Sequence, residues 1–207
     1  MLAASTPHLP RKATEMAYAG QMAENPVTGE RIVFRQTSAD TGGELVVIDL
    51  ALPVGGHVPG IHIHPLQEER FEVTEGKMKF RYGLRTIVAE AGETVVVPAG
   101  KIHNFAQYGD EPSQCRVEIR PALKMEQLFE TTVRLAREGR TNKKGMPKPL
   151  DLALFVEEFK DEVKAPFPPA WFVRLVMTPL RALARRRDQR KTSRRSSQTR
   201  STAPAAA

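Results

Sequence analysis

The chain has 207 residues, of which 41% are hydrophobic and 27% charged, so we expect one ordinary domain with a packed core and some appendages. Its single cysteine, Cys115, excludes an intrachain disulfide and a zinc site made of cysteines alone. The net charge of +7 is uneven: residues 181–207 contain nine Lys and Arg and one Asp, whereas the other 180 residues contain 22 basic and 23 acidic residues. This distribution disfavours a basic globular face for nucleic acid and indicates a basic terminal arm.

The beginning of the chain, residues 1–30, is predicted to be a flexible leader. Its first residues lack the apolar core of a signal peptide, and Asn25 followed by Pro26 and Gly29 is typical of a turn. No stretch of about 18 apolar residues exists that could form a spanning helix. Together with the low cysteine content, these features lead us to expect a cytoplasmic protein.

The next part of the chain, residues 31–120, is predicted to be a β-domain. Short runs of β-branched and aromatic residues alternate there with polar ones, and Gly and Pro separate the runs. The predicted strands are RIVFRQ, ELVVIDLAL, RFEVTEG, KMKFRYG, RTIVAE, ETVVVPAG, IHNFAQY and CRVEIRP. Many short strands with turn residues between them are typical of an all-β sandwich or barrel.

After Pro121 the apolar residues recur at helical spacing, so residues 121–186 are predicted to form a helical extension. Its three predicted helices lie in KMEQLFETTVRLAREGR, LDLALFVEEFKDEV and WFVRLVMTPLRALARRR. Residues 187–207 consist almost entirely of Arg, Ser, Thr, Gln, Pro and Ala. Such a segment cannot bury enough apolar surface to offset its conformational entropy, which predicts a disordered basic tail.

Two histidines in the β-domain, His62 and His64, are separated by one residue. Side chains at i and i+2 of a strand project from the same face. Glu69 follows across the turn at Pro65, and His103 follows a Pro-x-Gly turn about thirty residues later. Neutral imidazoles with one carboxylate suit Zn, Mn, Fe, Ni or Cu rather than Ca or Mg. The alternative interpretation is an edge strand that happens to be rich in histidine.

The spacing of these residues resembles the two sequence motifs of the cupin superfamily. The first is Gly56-x5-His62-x-His64-x4-Glu69-x6-Gly76, and the second is Gly92-x5-Pro98-x-Gly100-x2-His103. The motifs cover Gly56 to about Gln107, and the surrounding β region extends the resemblance to roughly residues 31–120. Cupins usually have Asn at the end of the second motif, where this chain has Gln107, so the local turn is expected to differ.

The resemblance implies a mainly β protein: a cupin-type jelly-roll β-barrel over about residues 31–120, followed by the helical extension and the disordered basic tail. It also implies one divalent transition metal, held by His62, His64, Glu69 and His103. Glu68 is an alternative carboxylate, but the six residues between Glu69 and Gly76 favour Glu69.

Cupins with this ligand set include dioxygenases, decarboxylases, isomerases and non-catalytic small-molecule binders, and the fold does not choose among them. Our first hypothesis is a metal-dependent oxidoreductase, a dioxygenase acting on a small oxygen-bearing organic molecule. One alternative is a non-catalytic small-molecule-binding or sensory cupin whose C-terminal helices respond to the ligand. Another is a metal-dependent isomerase or decarboxylase.

Several other residues are predicted to be structural. His57 precedes the histidine strand and is expected in a loop. Cys115 is expected to be a small buried residue and not a nucleophile. For most of the aromatic residues that could line a pocket, we favour core packing: Phe34, Phe80, Tyr82 and Phe105.

The segment LAREGRTNKKGMPKPLDLALFVEEF resembles an extension found on some bacterial single-cupin proteins. We expect its helices to pack on the outside of the barrel or at a homodimer interface. A second hypothesis is a peripheral membrane contact through residues 168–187, with arginines facing anionic headgroups. The apolar residues of that contact would be Trp171, Phe172, Leu175, Val176, Leu180 and Leu183. The expected partners are therefore a small-molecule substrate or ligand and a second copy of the chain, with no specific nucleic acid.

Overall fold

The structure, a computed structural model, describes residues 17–166, 178–180 and 183. Within them the chain forms ten strands and two longer helices. The strands are β1 (Met22–Glu24), β2 (Arg31–Gln36), β3 (Val46–Leu52), β4 (His62–Ile63), β5 (Glu68–Glu75), β6 (Lys77–Tyr82), β7 (Arg85–Glu90), β8 (Thr94–Val97), β9 (Ile102–Gln107) and β10 (Ser113–Arg120). The helices are α1 (Met125–Arg137) and α2 (Pro149–Glu158).

The strands form two antiparallel sheets. One has the order β1-β2-β3-β10-β5-β8, and the other has the order β4-β9-β6-β7. The chain crosses between the sheets several times, so strands distant in sequence lie side by side, such as β3 and β10. This arrangement confirms the predicted mainly β, jelly-roll architecture.

The barrel core follows from the period-two patterning of the strands. On β5 and β6 the buried residues alternate with more exposed ones, and the inward positions carry Phe71 and Phe80. Both rings pack against Phe105 of β9, with centroids 4.8 and 5.9 Å away. The aromatic cluster joins the two sheets, because Phe71 belongs to the six-stranded sheet and the other two rings to the four-stranded sheet. Aromatic packing of this kind, edge-to-face for Phe71 and tilted for Phe80, adds to the burial of apolar surface.

The structure differs from the predicted leader at its second half. Residues 22–24 form β1, which pairs with β2 so that Ala23 lies opposite Ile32. Asn25 is buried, and its side-chain oxygen accepts a hydrogen bond from the Val27 backbone N–H at 3.0 Å. The Asn-Pro turn was correctly predicted, but the barrel begins before residue 31. Residues 1–16 of the predicted leader lie outside the described residues.

The helical extension packs directly against the barrel. Its side chains Ala122, Met125, Leu128 and Phe159 belong to the same buried cluster as the strand residues. The buried Glu126 of α1 accepts hydrogen bonds from both the backbone N–H and the hydroxyl of Ser38, at 2.6 and 2.7 Å. These contacts make α1 and the residue that follows α2 part of the barrel's core.

The third predicted helix lies almost entirely outside the described residues. Residues 178–180 and 183 are helical, and the Leu183 side chain is exposed. The membrane contact predicted for residues 168–187 and the basic tail at 187–207 therefore stay predictions. Among the described helices, none combines the length and the apolar character that crossing a bilayer requires.

The motif glycine Gly76 joins β5 to β6 in a left-handed conformation, with φ of +66°. A Cβ there would lie 2.4 Å from the carbonyl oxygen of Pro112, whereas a Cβ at Gly83, with φ of +58°, would meet nothing within 4 Å. We expect Gly76→Ala to lower the free energy of unfolding by about 2–3 kcal/mol. Gly83→Ala should cost only the backbone strain, about 1–2 kcal/mol. Urea unfolding of both variants measures the difference, and equal losses would contradict the steric explanation.

Candidate metal centre

Four side chains from three strands and one strand end converge inside the barrel. His62 of β4 lies directly opposite His103 of β9 in the antiparallel register, and His64 follows β4 by one residue. Glu69 projects from β5 of the other sheet. One ligand atom from each of these four residues lies within 4.8 Å of the others. The structure thus brings together all four residues that the sequence motifs select.

The contacts within this cluster are short. The Glu69 carboxylate places one oxygen 2.8 Å from His103 Nε2 and the other 3.4 Å from His64 Nε2. The His62 ring lies edge-on to both other imidazoles, with centroids 4.4 Å from His103 and 4.9 Å from His64. The Nε2 atoms of His64 and His103 therefore face the carboxylate from two sides.

Backbone carbonyls hold the outer nitrogen of each imidazole. The Nδ1 atoms of His62, His64 and His103 lie 3.3, 2.5 and 3.1 Å from the carbonyl oxygens of Gly60, Glu162 and Lys101, respectively. A carbonyl oxygen can only accept, so each Nδ1 must donate its proton. In a neutral imidazole the lone pair is then on Nε2, as a metal ligand requires.

The electrostatics of the cluster keep a carboxylate beside the imidazoles. Burial alone would raise the pKa of Glu69, but the charges of His64, His103 and His62, with the His103 hydrogen bond, lower it to about 2. Burial lowers the pKa of His62 to about 3, and the charges on His103 and His64 add to this effect. Glu69 is therefore ionised and His62 neutral near pH 7.

The contacts of Glu69 have the spacing of ligands around one transition metal. Two donor atoms bound to one ion at about 2.0–2.2 Å lie roughly 2.8–3.6 Å apart when their angle at the ion is about 90–110°. The separations of 2.8 and 3.4 Å from the Glu69 oxygens to the imidazoles fall in this range. Three imidazoles and one carboxylate suit Zn, Mn, Fe, Ni or Cu.

The neighbouring candidates lie outside the cluster. Glu68 is exposed and Glu69 buried, because consecutive strand residues project to opposite faces. His57 is exposed in the loop before β4, as predicted. Cys115 is fully buried, and burial raises the pKa of its thiol, so it is a protonated core residue.

Gln107, the residue that departs from the second cupin motif, has a structural role. Its side-chain oxygen accepts a hydrogen bond from the Gly55 backbone N–H at 2.8 Å. Its amide nitrogen donates to the carbonyl oxygens of Gly109 and Glu111 at 2.8 and 2.7 Å. One buried amide thus joins the loop before β4 to the turn after β9, which explains how this chain forms the turn with Gln.

The cluster opens into a cavity of about 150 Å³. His62, His64 and Glu69 form one part of its wall, and most of the remaining lining is apolar. The barrel contributes Ile48, Leu50, Phe71, Phe105, Val117 and Ile119, and the extension contributes Met125, Leu128, Phe129, Leu152, Phe155 and Val163. Phe105 is the one predicted aromatic candidate that reaches the cavity; Phe34 and Phe80 are core residues, as favoured from the sequence, and Tyr82 packs against the core.

Two polar residues in the cavity wall, Asn25 and Glu30, were missed by the sequence analysis. Ile32 and Phe34 of β2 are buried, so period two places Glu30 on the same inward face. Extending the alternation of β2 by one residue toward the N-terminus predicts the inward position of Glu30. Asn25 belongs to the β1–β2 turn and is joined to Glu30 by a backbone hydrogen bond of 2.9 Å.

Burial of Glu30 should make stability depend on pH. Desolvation raises its pKa from 4.5 to about 7, so the folded state binds the proton more tightly than the unfolded state does. The stabilisation that comes from this tighter proton binding is complete below pH 4.5 and is lost as the pH rises through 7. We expect Glu30→Gln to be more stable than the wild type by about 1–3 kcal/mol at pH 8, with no difference near pH 4. Urea unfolding at both pH values measures this, and a pH-independent difference would contradict it.

The fold and site together define a class: a small jelly-roll barrel with a three-histidine, one-glutamate cluster at an apolar cavity. The family model described as Cupin domain matches residues 49–119. The middle of the β-barrel, residues 49–119, is therefore similar to a cupin domain. A search of curated proteins found no match.

Solved structures that resemble this chain include the cupin domain of Cnp3 from Schizosaccharomyces pombe, at 13% identity and TM-score 0.43, covering 57% of this chain and 74% of that one. KdgF from Halomonas sp. has 12% identity and TM-score 0.43, covering 51% and 91% of the two chains. A predicted oxalate decarboxylase from Thermotoga maritima has 17% identity and TM-score 0.44, covering 53% and 96%.

Proposed function

We propose that this protein is a metal-dependent dioxygenase that acts on a small, largely apolar molecule carrying an oxygen donor. The observation that supports the proposal is the position of the four-residue cluster: three of its members, His62, His64 and Glu69, form a polar part of the wall of an otherwise mostly apolar cavity. An oxygen of the ligand would lie near His62, His64 and Glu69 while its carbon skeleton contacts Phe71 and the other apolar walls.

The lining of the cavity also bears on the alternatives. A small dicarboxylic acid would bring two negative charges, and the apolar walls could not solvate the second one. The geometry therefore favours an oxygenase or a binder of apolar molecules over a decarboxylase of oxalate-like acids.

Different residues of the chain would bind the metal ion and exclude water from it. His62, His64, Glu69 and His103 would hold the ion, which when bound supplies Lewis-acid or redox chemistry. The carbonyls of Gly60, Glu162 and Lys101 keep the Nδ1 protons in place and so aim each Nε2 inward. The apolar walls exclude water from the space beside the cluster.

Elemental analysis of untreated, purified protein is the first test. We expect about one transition metal per chain. Oxygen consumption by the metal-loaded protein would then be screened with small diketone and thiol substrates, using the chelated protein as the blank. Protein that contains no stoichiometric metal and takes none up would reject the proposal.

A second candidate function, a ligand-binding sensor, is supported by the contact of the extension with the site. Phe129 and Phe155 line the cavity, and the Glu162 carbonyl accepts the Nδ1 proton of His64. A ligand that displaces these groups would change the protection of residues 122–166. Hydrogen exchange that changes on ligand binding, without any turnover of the ligand, would favour the sensor over the enzyme. The homodimer and the cytoplasmic location stay predictions.

A further inference from the structure

The cavity wall contains a second polar region away from the histidine cluster. Glu69 on β5 lies opposite Ile119 of β10, which in turn lies opposite Val46 at the start of β3. Glu30 directly precedes Arg31, which lies opposite Ala51 near the end of β3. β3 and β10 thus separate the two carboxylates, which lie near opposite ends of these strands. Both nevertheless line the same cavity.

The polar groups of this second region lack partners within the protein. Among the described residues, the Glu30 carboxylate takes part in no hydrogen bond or salt bridge, and burial is the one cause of its raised pKa. The Asn25 side-chain oxygen already accepts from the backbone N–H groups of Val27 and Thr28, at 3.0 and 3.4 Å. The Asn25 amide nitrogen has no hydrogen-bond partner among the described residues. A half-buried carboxylate without a donor loses hydration and gains nothing from the protein in return.

The second polar region lies where the β1–β2 turn and the loop before β4 meet the helical extension. A Cβ at Gly145 would lie 2.7 Å from Thr28 Cγ2, 3.1 Å from Pro59 Cγ and 4.0 Å from the Asn25 amide nitrogen. Gly145 belongs to the loop between α1 and α2, so the β1–β2 turn, the loop before β4 and the extension meet here. Glu30 and Asn25 are therefore placed by three packed segments.

We propose that Glu30, with Asn25 in the same cavity wall, is the specificity-determining site for a hydroxyl or ammonium group at the end of the ligand remote from the histidines. The volume of about 150 Å³ is close to that of an apolar cavity that holds one benzene-sized molecule. The ligand class is therefore a compact apolar skeleton, about one six-membered ring in size, with a hydrogen-bond donor on one side. The expectation of an oxygen donor at the other side rests on the proposed function; the role of Glu30 does not.

Benzylamine and benzyl alcohol test this role, and ethylbenzene serves as the apolar probe of similar shape. Their affinities would be measured by NMR titration of the full-length protein at pH 8, with and without added metal. We expect Glu30→Gln to weaken benzylamine binding at least about tenfold and to change ethylbenzene binding less than about twofold, because a charge-assisted hydrogen bond is lost. The weaker neutral donor of benzyl alcohol should lose about threefold. Glu24→Gln, which neutralises an exposed carboxylate on β1, is the matched control and should change neither.

Two results would overturn the proposal: benzylamine that does not bind to the wild type, or benzylamine that binds equally to the wild type and Glu30→Gln. The ¹³C resonance of the Glu30 carboxyl in the wild type gives a readout that needs no substitution, and it should shift with benzylamine but not with ethylbenzene. Metal content measured on the same samples separates the two proposals. Failure to take up metal rejects the dioxygenase alone, whereas benzylamine binding that ignores Glu30 rejects this inference alone.

Discussion

Replacing His103 by alanine is expected to lower the affinity for Zn²⁺ about 100- to 1000-fold. Structural zinc sites with four ligands contribute about 10–16 kcal/mol, which divides into about 2.5–4 kcal/mol per ligand. His103 Nε2 also makes the closest contact to the Glu69 carboxylate, at 2.8 Å, and His103 helps to lower the pKa of that group. The variant therefore loses one ligand and the group that fixes a second.

The matched control for this prediction is His57→Ala. His57 lies in the loop before the same strand, but it is exposed and outside the cluster. A chelator competition titration of both variants measures the affinities, and circular dichroism checks that both remain folded. Equal zinc affinity in the two variants would contradict the assignment of His103 as a ligand. Parallel titrations with Mn²⁺ and Fe²⁺ would show which ion the wild type prefers.

The strands and the histidine cluster could be predicted from the sequence because both are encoded by local spacing. β2, β6 and β7 coincide with predicted runs, since each alternates or ends at a Gly or Pro turn. Two motifs, each holding its ligands within a few residues, sufficed to select the four members of the cluster. The choice of Glu69 over Glu68 rested on a residue count, and the alternation of β5 gives its physical reason.

The second polar region was harder to predict because nothing local distinguishes it. Glu30 is one of 24 acidic residues, and its position just before a predicted strand is where an exposed charge is usual. Its inward orientation depends on where the alternation of β2 begins. The ends of strands are harder to predict from sequence than their centres. β1 has only three residues, MAE, which is too short for a periodic pattern.

The role of the extension could not be predicted because it depends on contacts between distant parts of the chain. The apolar residues of α1 and α2 predicted helices that must bury a face, on the outside of the barrel or at a homodimer interface, but not that they would line its cavity. In the structure they cover the barrel cavity, and Lys164 exchanges two backbone hydrogen bonds of 2.9 Å with Ile63 of β4. The extension is therefore joined to the strand that carries His62.

Phe159 provides the strongest test of whether the extension influences the histidine cluster. Its side chain is fully buried and belongs to the barrel's core cluster. Its carbonyl oxygen accepts the backbone N–H groups of Glu162 and Val163, at 3.2 and 2.8 Å. That turn presents the Glu162 carbonyl to His64 Nδ1. We expect Phe159→Ala to lower the free energy of unfolding by about 3–5 kcal/mol. We also expect it to weaken zinc binding about tenfold, because an orienting partner of His64 is displaced.

A matched variant separates the two effects of Phe159→Ala. Leu52 of β3 is as deeply buried, but it belongs to the barrel and not to the turn that presents the Glu162 carbonyl to His64. Leu52→Ala should lose about 2–5 kcal/mol of stability without a change in zinc affinity under conditions where the protein remains folded. Urea unfolding and chelator competition on both variants give the comparison. If both variants bind zinc as the wild type does, the extension supports the fold without tuning the site. A selective loss in Phe159→Ala would instead mean that the extension and the histidine cluster respond to each other, as a sensor would require.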